Sequence, residues 1–187
     1  MNRKILVITG DGGESYESWY CVHRFREGGF EPRIAAPSKR RLHLVMHDFE
    51  PGWDTYVERP GYAMASDLTF DEVVIDEYEA VVCLGGRAPE YLRNDPRVLD
   101  IVRQFDRRQK WVFAICHGVQ IPAAAGLLKG KQACCYEHVR IDVETTGAIF
   151  NPAQAVRDGR IVTGATWQSH PEFYRAVFAC LGSQVPA

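Results

Sequence analysis

The chain has 187 residues, of which 46% are hydrophobic and 25% charged, and a formal net charge of −2. That composition suits one globular domain with a full core. It supplies neither a basic footprint for nucleic acid or anionic membrane nor the roughly 20 apolar residues of a membrane span.

Lys4 to Thr9 is a short β-branched apolar run closed by Gly10-Asp11-Gly12-Gly13, and it reads as the first, central strand of a parallel sheet. Its apolar stretch is too short for a signal peptide. Ser15 is the expected cap of a helix over Tyr16 to Glu27, ended by Gly28-Gly29, with Glu31 to Ala36 the next strand. Strand, helix and strand make a βαβ unit. The glycine loop lacks the G-x-G-x-x-G spacing and no acid closes the second strand, so no nucleotide cofactor is expected. Glu17 falls one turn into the helix, beside the strand's C-terminal edge, where open α/β sheets bind ligands. A first-turn glutamate also simply matches the helix dipole.

Residues 39–66 form an irregular inserted segment, with Leu42 to Met46 read as a strand. His47, Asp48 and Glu50 are weighed as metal ligands and set aside for lack of a fuller ligand pattern, so no metal is expected. Tyr78 to Leu84 is the next parallel strand, ending in Gly85-Gly86-Arg87-Ala88-Pro89-Glu90. Two glycines after a strand offer free amides, a plausible part of an oxyanion site. Asp95 to Lys110 has helical apolar spacing. Trp111 to Ile115 is a buried strand running into Cys116-His117-Gly118, and Val119 to Gly126 reads as the helix behind it. A cysteine on such a turn meets helix amides and the positive end of the dipole, both of which favour thiolate. Cys116 is therefore the candidate nucleophile. Ala133 to Tyr136 is read as a short strand, Arg157 to Arg160 as a hairpin turn, Ile161 to Gly164 as the last strand and Pro171 to Leu181 as the last helix. The alternation gives one three-layer α/β domain spanning 1–187. The six cysteines contain no C-x-x-C pair and point to a cytoplasmic chain with reduced thiols.

Ala-Ile-Cys-His-Gly after a strand, preceded by Gly-Gly-Arg-Ala-Pro-Glu, resembles the ThiJ/PfpI superfamily. The resemblance extends over nearly the whole chain and includes Glu17, His47 to Glu50, Pro60-Gly61-Tyr62, Ala124-Ala125-Gly126 and His170-Pro171-Glu172-Phe173. It implies a flavodoxin-like, class I glutamine amidotransferase-like fold with a mostly parallel central sheet. The inserted segment and Glu90-Tyr91-Leu92 look most like the plant-type glyoxalase III proteins and their single-domain bacterial relatives. By that resemblance Cys116 is the nucleophile and Glu17 the acid that approaches its sulfur. His117 follows the nucleophile, and Glu90 matches an acid that reaches the histidine from a neighbouring subunit in PfpI-type members. Gly86 and His117 would furnish oxyanion amides, and Gly85, Arg87, Tyr136, His138, Trp167 and His170 are the remaining candidates for the pocket. Glu137-His138 departs from the Pro and small residue common after that tyrosine. Homodimers, trimers or hexamers are implied, with Trp53, Tyr56 and Tyr62 as interface candidates or local packing.

The chemistry these residues suit is cofactor-independent conversion of methylglyoxal or glyoxal to a 2-hydroxy acid, a glyoxalase III lyase of the D-lactate dehydratase type. A thiolate adds to the aldehyde, one carboxyl group moves a proton between adjacent carbons, and water hydrolyses the thioester. The alternatives are a cysteine hydrolase of the peptidase or amidase type, a deglycase acting on aldehyde-modified protein, and a redox-sensing or chaperone-like oligomer. Whether His117 reaches the sulfur is open, because adjacent residues on a turn point differently.

Overall fold

The structure, a computed structural model, describes residues 3–182. Its elements in chain order are β1 (Arg3–Ile8), α1 (Ser15–Glu27), β2 (Phe30–Ala36), β3 (Arg41–Leu42), β4 (Val45–Asp48), β5 (Val57–Pro60), β6 (Met64–Ala65), β7 (Leu68–Thr69) and β8 (Tyr78–Cys83). They continue as α2 (Ala88–Leu92), α3 (Pro96–Arg107), β9 (Trp111–Ile115), α4 (Gln120–Ala124), β10 (Gln132–Ala133), α5 (Arg140–Glu144), β11 (Ile149–Phe150), β12 (Ala155–Asp158), β13 (Ile161–Gly164) and α6 (His170–Leu181).

Seven strands form one sheet in the order β12-β13-β9-β8-β1-β2-β7, parallel except for the β12–β13 hairpin. This is the mixed, mostly parallel α/β architecture of the flavodoxin-like type. Ile5 to Ile8 and Val112 to Ile115 are fully buried, because a parallel sheet is covered on both faces. The chain leaves β1 toward β2 but leaves β8 toward β9, so right-handed crossovers place α1 and α3 on opposite faces. On one face α1 meets α6 through Phe25–Phe178 and Tyr20–Tyr174, with ring centroids 5.7 and 5.2 Å apart. On the other, α3 buries Val98, Ile101, Val102 and Phe105, one stripe of a helix started by Pro96 and capped by the Asp95 carboxylate. The middle strand is β8, flanked by β1 and β9.

Four local expectations change. The cap of α1 is Glu14, whose side chain accepts the Glu17 amide, and Ser15 is the first helical residue. A glutamate can cap here because the chain beyond it is folded over its carboxyl group. Leu42 to Met46 is not one strand: β3 pairs with β6 and β4 with β5, two small antiparallel ladders within the 39–66 segment. Residues after Cys116 begin as a 3-10 turn over Cys116–Val119 before α4, which is shorter than the expected Val119 to Gly126 helix. Of the expected Ala133 to Tyr136 strand only Ala133 pairs, as the second residue of β10 against β11. Among the described residues no helix is long and apolar enough to cross a membrane.

Candidate active site

The order of the sheet reverses direction between β1 and β8, and the loops beyond their C-terminal ends, 9–14 and 84–87, meet there. They are joined backbone to backbone. Glu14 donates its N–H to the Gly85 carbonyl at 3.1 Å, and Arg87 donates to the Gly12 carbonyl at 2.7 Å. Gly86 sits at φ 81°, and a Cβ there would lie 2.2 Å from the Glu14 nitrogen. The glycine loop is thus occupied by protein hydrogen bonds rather than shaped as a phosphate cradle.

Cys116 lies on the turn after β9 with φ 59°, a left-handed conformation for a non-glycine residue. Such a conformation costs about 1–3 kcal/mol and is retained where the surroundings dictate it. The surroundings here are Gly118, where a Cβ would come 2.2 Å from the Cys83 carbonyl oxygen, so the turn is pressed onto the end of β8. Gly85 lies between the elbow and α1, with its Cβ position 2.7 Å from both Cys116 Cβ and Glu17 Oε2. Glu17 is fully buried, and its Oε2 accepts the Gly85 N–H at 2.6 Å. Its Oε1 has no hydrogen-bond partner among the described residues.

Burial pushes both Glu17 and Cys116 up from their ordinary values; the negative charge of Glu14 adds to the rise at Glu17, and that of Glu17 to the rise at Cys116. Two buried acids in contact cannot both ionise cheaply, so the pair keeps a proton between them near neutral pH. The amides of His117 and Gly86 reach the sulfur and favour its anion. The Gly85 amide belongs to Glu17, so the expectation of two free glycine amides is corrected to one, that of Gly86. His117 Nδ1 lies 3.4 Å from Cys116 Sγ, so the imidazole does reach the sulfur. Burial lowers its pKa to about 4, and the ring is neutral near pH 7.

A cleft of about 530 Å³ opens in front of His117, lined by Tyr56, Glu90, Arg93, Gln120, His138 and Asp142 among others. Tyr136 stacks on His117 with centroids 5.1 Å apart. Tyr56 stands edge-on to His117 at 5.9 Å and stacks on His47 at 3.8 Å, which is local packing. Arg93 is neutralised by Asp142 at 2.8 Å, and the Gln120 amide donates to the same carboxylate at 2.6 Å. That donation fixes the orientation of the amide and leaves Gln120 Oε1 buried without a donor among the described residues.

The structure thus brings Cys116, Glu17, Gly85, Gly86 and His117 together, with Glu90, Tyr136 and His138 around the cleft. Three residues expected at the pocket lie elsewhere. Arg87 is exposed and turned toward Glu58 of the insertion at 2.9 Å, its backbone being tied to the glycine loop. His170 is buried against Tyr20, centroids 4.4 Å apart, where the start of α6 packs on α1. Trp167 lines a separate apolar hollow with Tyr16, Trp19, Met46 and Tyr62. Asp48 and Glu50 pair with Arg59, and no cluster of three or more potential metal ligands occurs among the described residues. Trp53 and Tyr62 are exposed. Sequence reasoning passed over Glu14 and Gln120. Glu14 resembles any solvated acid before a helix, its only signal being the three-residue spacing to Glu17. Gln120 is one helical turn beyond Cys116, a spacing that does place it on the same side.

Comparison with known proteins bears on this site. The DJ-1/PfpI family profile matches residues 3–179. Protein DJ-1 homolog D of Arabidopsis thaliana is 40% identical over 98% of the chain and 49% of its own length, so the chain spans about half of that relative. Deglycase TK1284 of Thermococcus kodakarensis is 37% identical over 86% of the chain and 88% of its own length. Protein/nucleic acid deglycase 2 of Escherichia coli K12 is 30% identical over 98% of the chain and all of its own length. Among solved structures, a ThiJ/PfpI domain protein of Brachyspira murdochii superposes with a TM-score of 0.85 at 25% identity, covering 97% of both chains. Schizosaccharomyces pombe DJ-1 shares the fold, with a TM-score of 0.76 at 19% identity over 94% of this chain and 90% of its own.

Proposed function

The chain belongs to the DJ-1/PfpI family, and from that premise we propose that it is a cysteine enzyme for 2-oxoaldehydes, converting methylglyoxal or glyoxal to the 2-hydroxy acid without glutathione. The observation that carries the reading is the buried Glu17–Cys116 pair, held by the Gly85 amide on one side and the Gly86 and His117 amides on the other.

In this reading Cys116 begins as thiolate and Glu17 as acid, the arrangement that avoids two adjacent anions. The sulfur adds to the aldehyde carbon, and the carbonyl oxygen takes the proton of Glu17, forming a hemithioacetal. The Glu17 carboxylate then removes the hydrogen on that carbon as a proton and delivers it to the neighbouring carbon, which was the ketone, as the hydroxyl proton passes to the former ketone oxygen. The product is a thioester on Cys116 bearing a 2-hydroxyacyl group. Amides at the elbow stabilise the oxygen anions that form on addition and on hydrolysis. Neutral His117, 3.4 Å from the sulfur, accepts a proton from the hydrolytic water in this reading; the acid leaves, the thiolate returns and that proton passes back to Glu17. The test is lactate formation from methylglyoxal in glutathione-free, amine-free buffer. Turnover abolished in Cys116→Ser and Glu17→Gln supports the proposal, and wild-type-like turnover in either variant refutes it.

A second reading, deglycase action, has its own support in the deglycase relatives and in the cleft. Glu90 has no ion pair among the described residues, Gln120 Oε1 is an unused acceptor, and the cleft's arginine is already neutralised. A cation beside an aldehyde adduct, as on an amine or guanidine, matches that set. The same thiolate would capture the aldehyde as the carbinol carbon loses its nitrogen substituent. Parallel kinetics on free methylglyoxal and on preformed adducts separate the two.

A further inference from the structure

Glu14 has no part in the chemistry above, yet it is among the most deeply buried acids of the chain, 1% exposed. Its carboxylate accepts the Glu17 N–H at 2.6 Å, and the amides of His47 and Tyr16 also reach it. Its own N–H donates to the Gly85 carbonyl at 3.1 Å, the residue whose N–H in turn holds the Glu17 carboxyl group. Its carbonyl receives the Ser18 amide and hydroxyl at 3.0 and 2.7 Å. It also forms an isolated parallel bridge with Val45 of β4. One residue therefore joins the start of α1, the insertion strand and the loop after β8.

We propose that Glu14 is a positioning residue: its buried carboxylate fastens the first turn of α1 to β4 and holds Glu17 as a hydrogen-bond donor toward Cys116. The inference rests on the reading of Glu17 and Cys116 as the reacting pair. Two effects follow from one group. The clamp fixes where the Glu17 side chain starts, since the Glu17 amide is one of its ligands. The negative charge makes ionisation of Glu17 and Cys116 costlier, so Glu17 keeps its proton when the thiolate forms.

Burial raises Glu14 itself, while the amides of Glu17, His47 and Tyr16 favour its anion, and the neighbouring groups leave it as the source of that charge. Cys21 from α1 is pushed up to about 12 and Tyr174 from α6 is also raised by burial, so both are neutral. His117 from the elbow is neutral, and burial lowers His47 on β4. Asp48 is paired with Arg59 at 3.6 Å, and Glu58 with Arg87 at 2.9 Å.

The experiment is the pH dependence of iodoacetamide alkylation at Cys116, read on its own peptide by mass spectrometry, for wild type, Glu14→Gln and Glu14→Asp, with thermal melting and methylglyoxal kinetics alongside. Glutamine keeps an acceptor for the Glu17 amide and removes the charge. The alkylation midpoint of Glu14→Gln should fall by about one pH unit, a tenfold change in proton affinity. Aspartate keeps the charge on a shorter arm, so its midpoint should stay at the wild-type value while kcat falls. A Glu14→Gln midpoint coincident with wild type, or a rate lowered equally at every pH, overturns the proposal. Should Glu14→Gln fail to fold, a displaced midpoint in Glu14→Asp overturns it and a retained one with lowered kcat supports it. Alkylation needs no substrate, so a wild type inactive on methylglyoxal sinks the reaction assigned above and leaves the Glu14 measurement decisive.

Discussion

Replacing Gly85 by alanine tests the packing of the site at its tightest point. The glycine does not have a positive φ, so alanine meets no backbone penalty and only the added methyl group acts. That carbon would lie 2.7 Å from Cys116 Cβ and from Glu17 Oε2. Ordinary contact needs about 3.4 Å, so the elbow or the carboxyl group must retreat by about 0.7 Å. If Glu17 yields, its 2.6 Å bond from the Gly85 amide stretches beyond the roughly 3.2 Å at which an N–H···O bond is effective. Leaving that buried N–H unsatisfied costs about 1–3 kcal/mol, and overpacking about 1–3 kcal/mol. A destabilisation of about 3–5 kcal/mol should lower Tm by roughly 10 °C in a chain of this size. Misplacement of the reacting groups should lower kcat/KM by about 10²-fold. Differential scanning fluorimetry and methylglyoxal kinetics measure both. A variant with wild-type Tm and activity within about twofold would show that Glu17 and Cys116 are not held by this contact.

Acid sensitivity should come in part from two buried histidines. His117 and His170 have pKa values lowered by burial to about 4, against 6.5 for the ordinary side chain. The unfolded chain binds more protons between those values, so stability falls as pH drops from about 6.5 to about 4, by up to about 3 kcal/mol per ring. Urea titrations at several pH values should show this slope, and His170→Phe should remove about half of it; an unchanged slope would contradict the assignment. Gly86→Ala combines a φ of 81° with a Cβ 2.2 Å from backbone nitrogen, so it should lose more stability than Gly85→Ala in the same melting assay. Glu90→Gln should raise KM for a guanidine-borne adduct more than for a neutral thiol adduct, by about tenfold, and equal changes would remove the cation argument.

The frame of the fold was legible because parallel strands buried on both faces leave continuous apolar runs, as at Ile5 to Ile8 and Val112 to Ile115, and α3 carries a clean helical stripe. The insertion was not. Leu42 to Met46 reads as one strand by composition, yet its two halves serve different ladders, a choice made by partners at 57–65. Cys116 and Glu17 were legible from the elbow and the family pattern. His117 was named by the family pattern, but its reach to the sulfur was not legible, since it goes with the left-handed backbone of Cys116. Nor was it legible that Arg87, expected at the pocket, is drawn away by Glu58, or that Glu14 becomes buried when β4 folds over it.

The central claim is that carbon–sulfur bond formation occurs at Cys116 and that Glu17 moves the proton. Acid-quenching the enzyme during turnover of methylglyoxal, followed by peptide mass spectrometry, tests it most directly. The account predicts one methylglyoxal-derived adduct on the Cys116 peptide, accumulating in Glu17→Gln as the step after addition is blocked, and none in Cys116→Ser. Turnover persisting in Cys116→Ser, or adducts spread over the other cysteines with Cys116 unmodified, would contradict it.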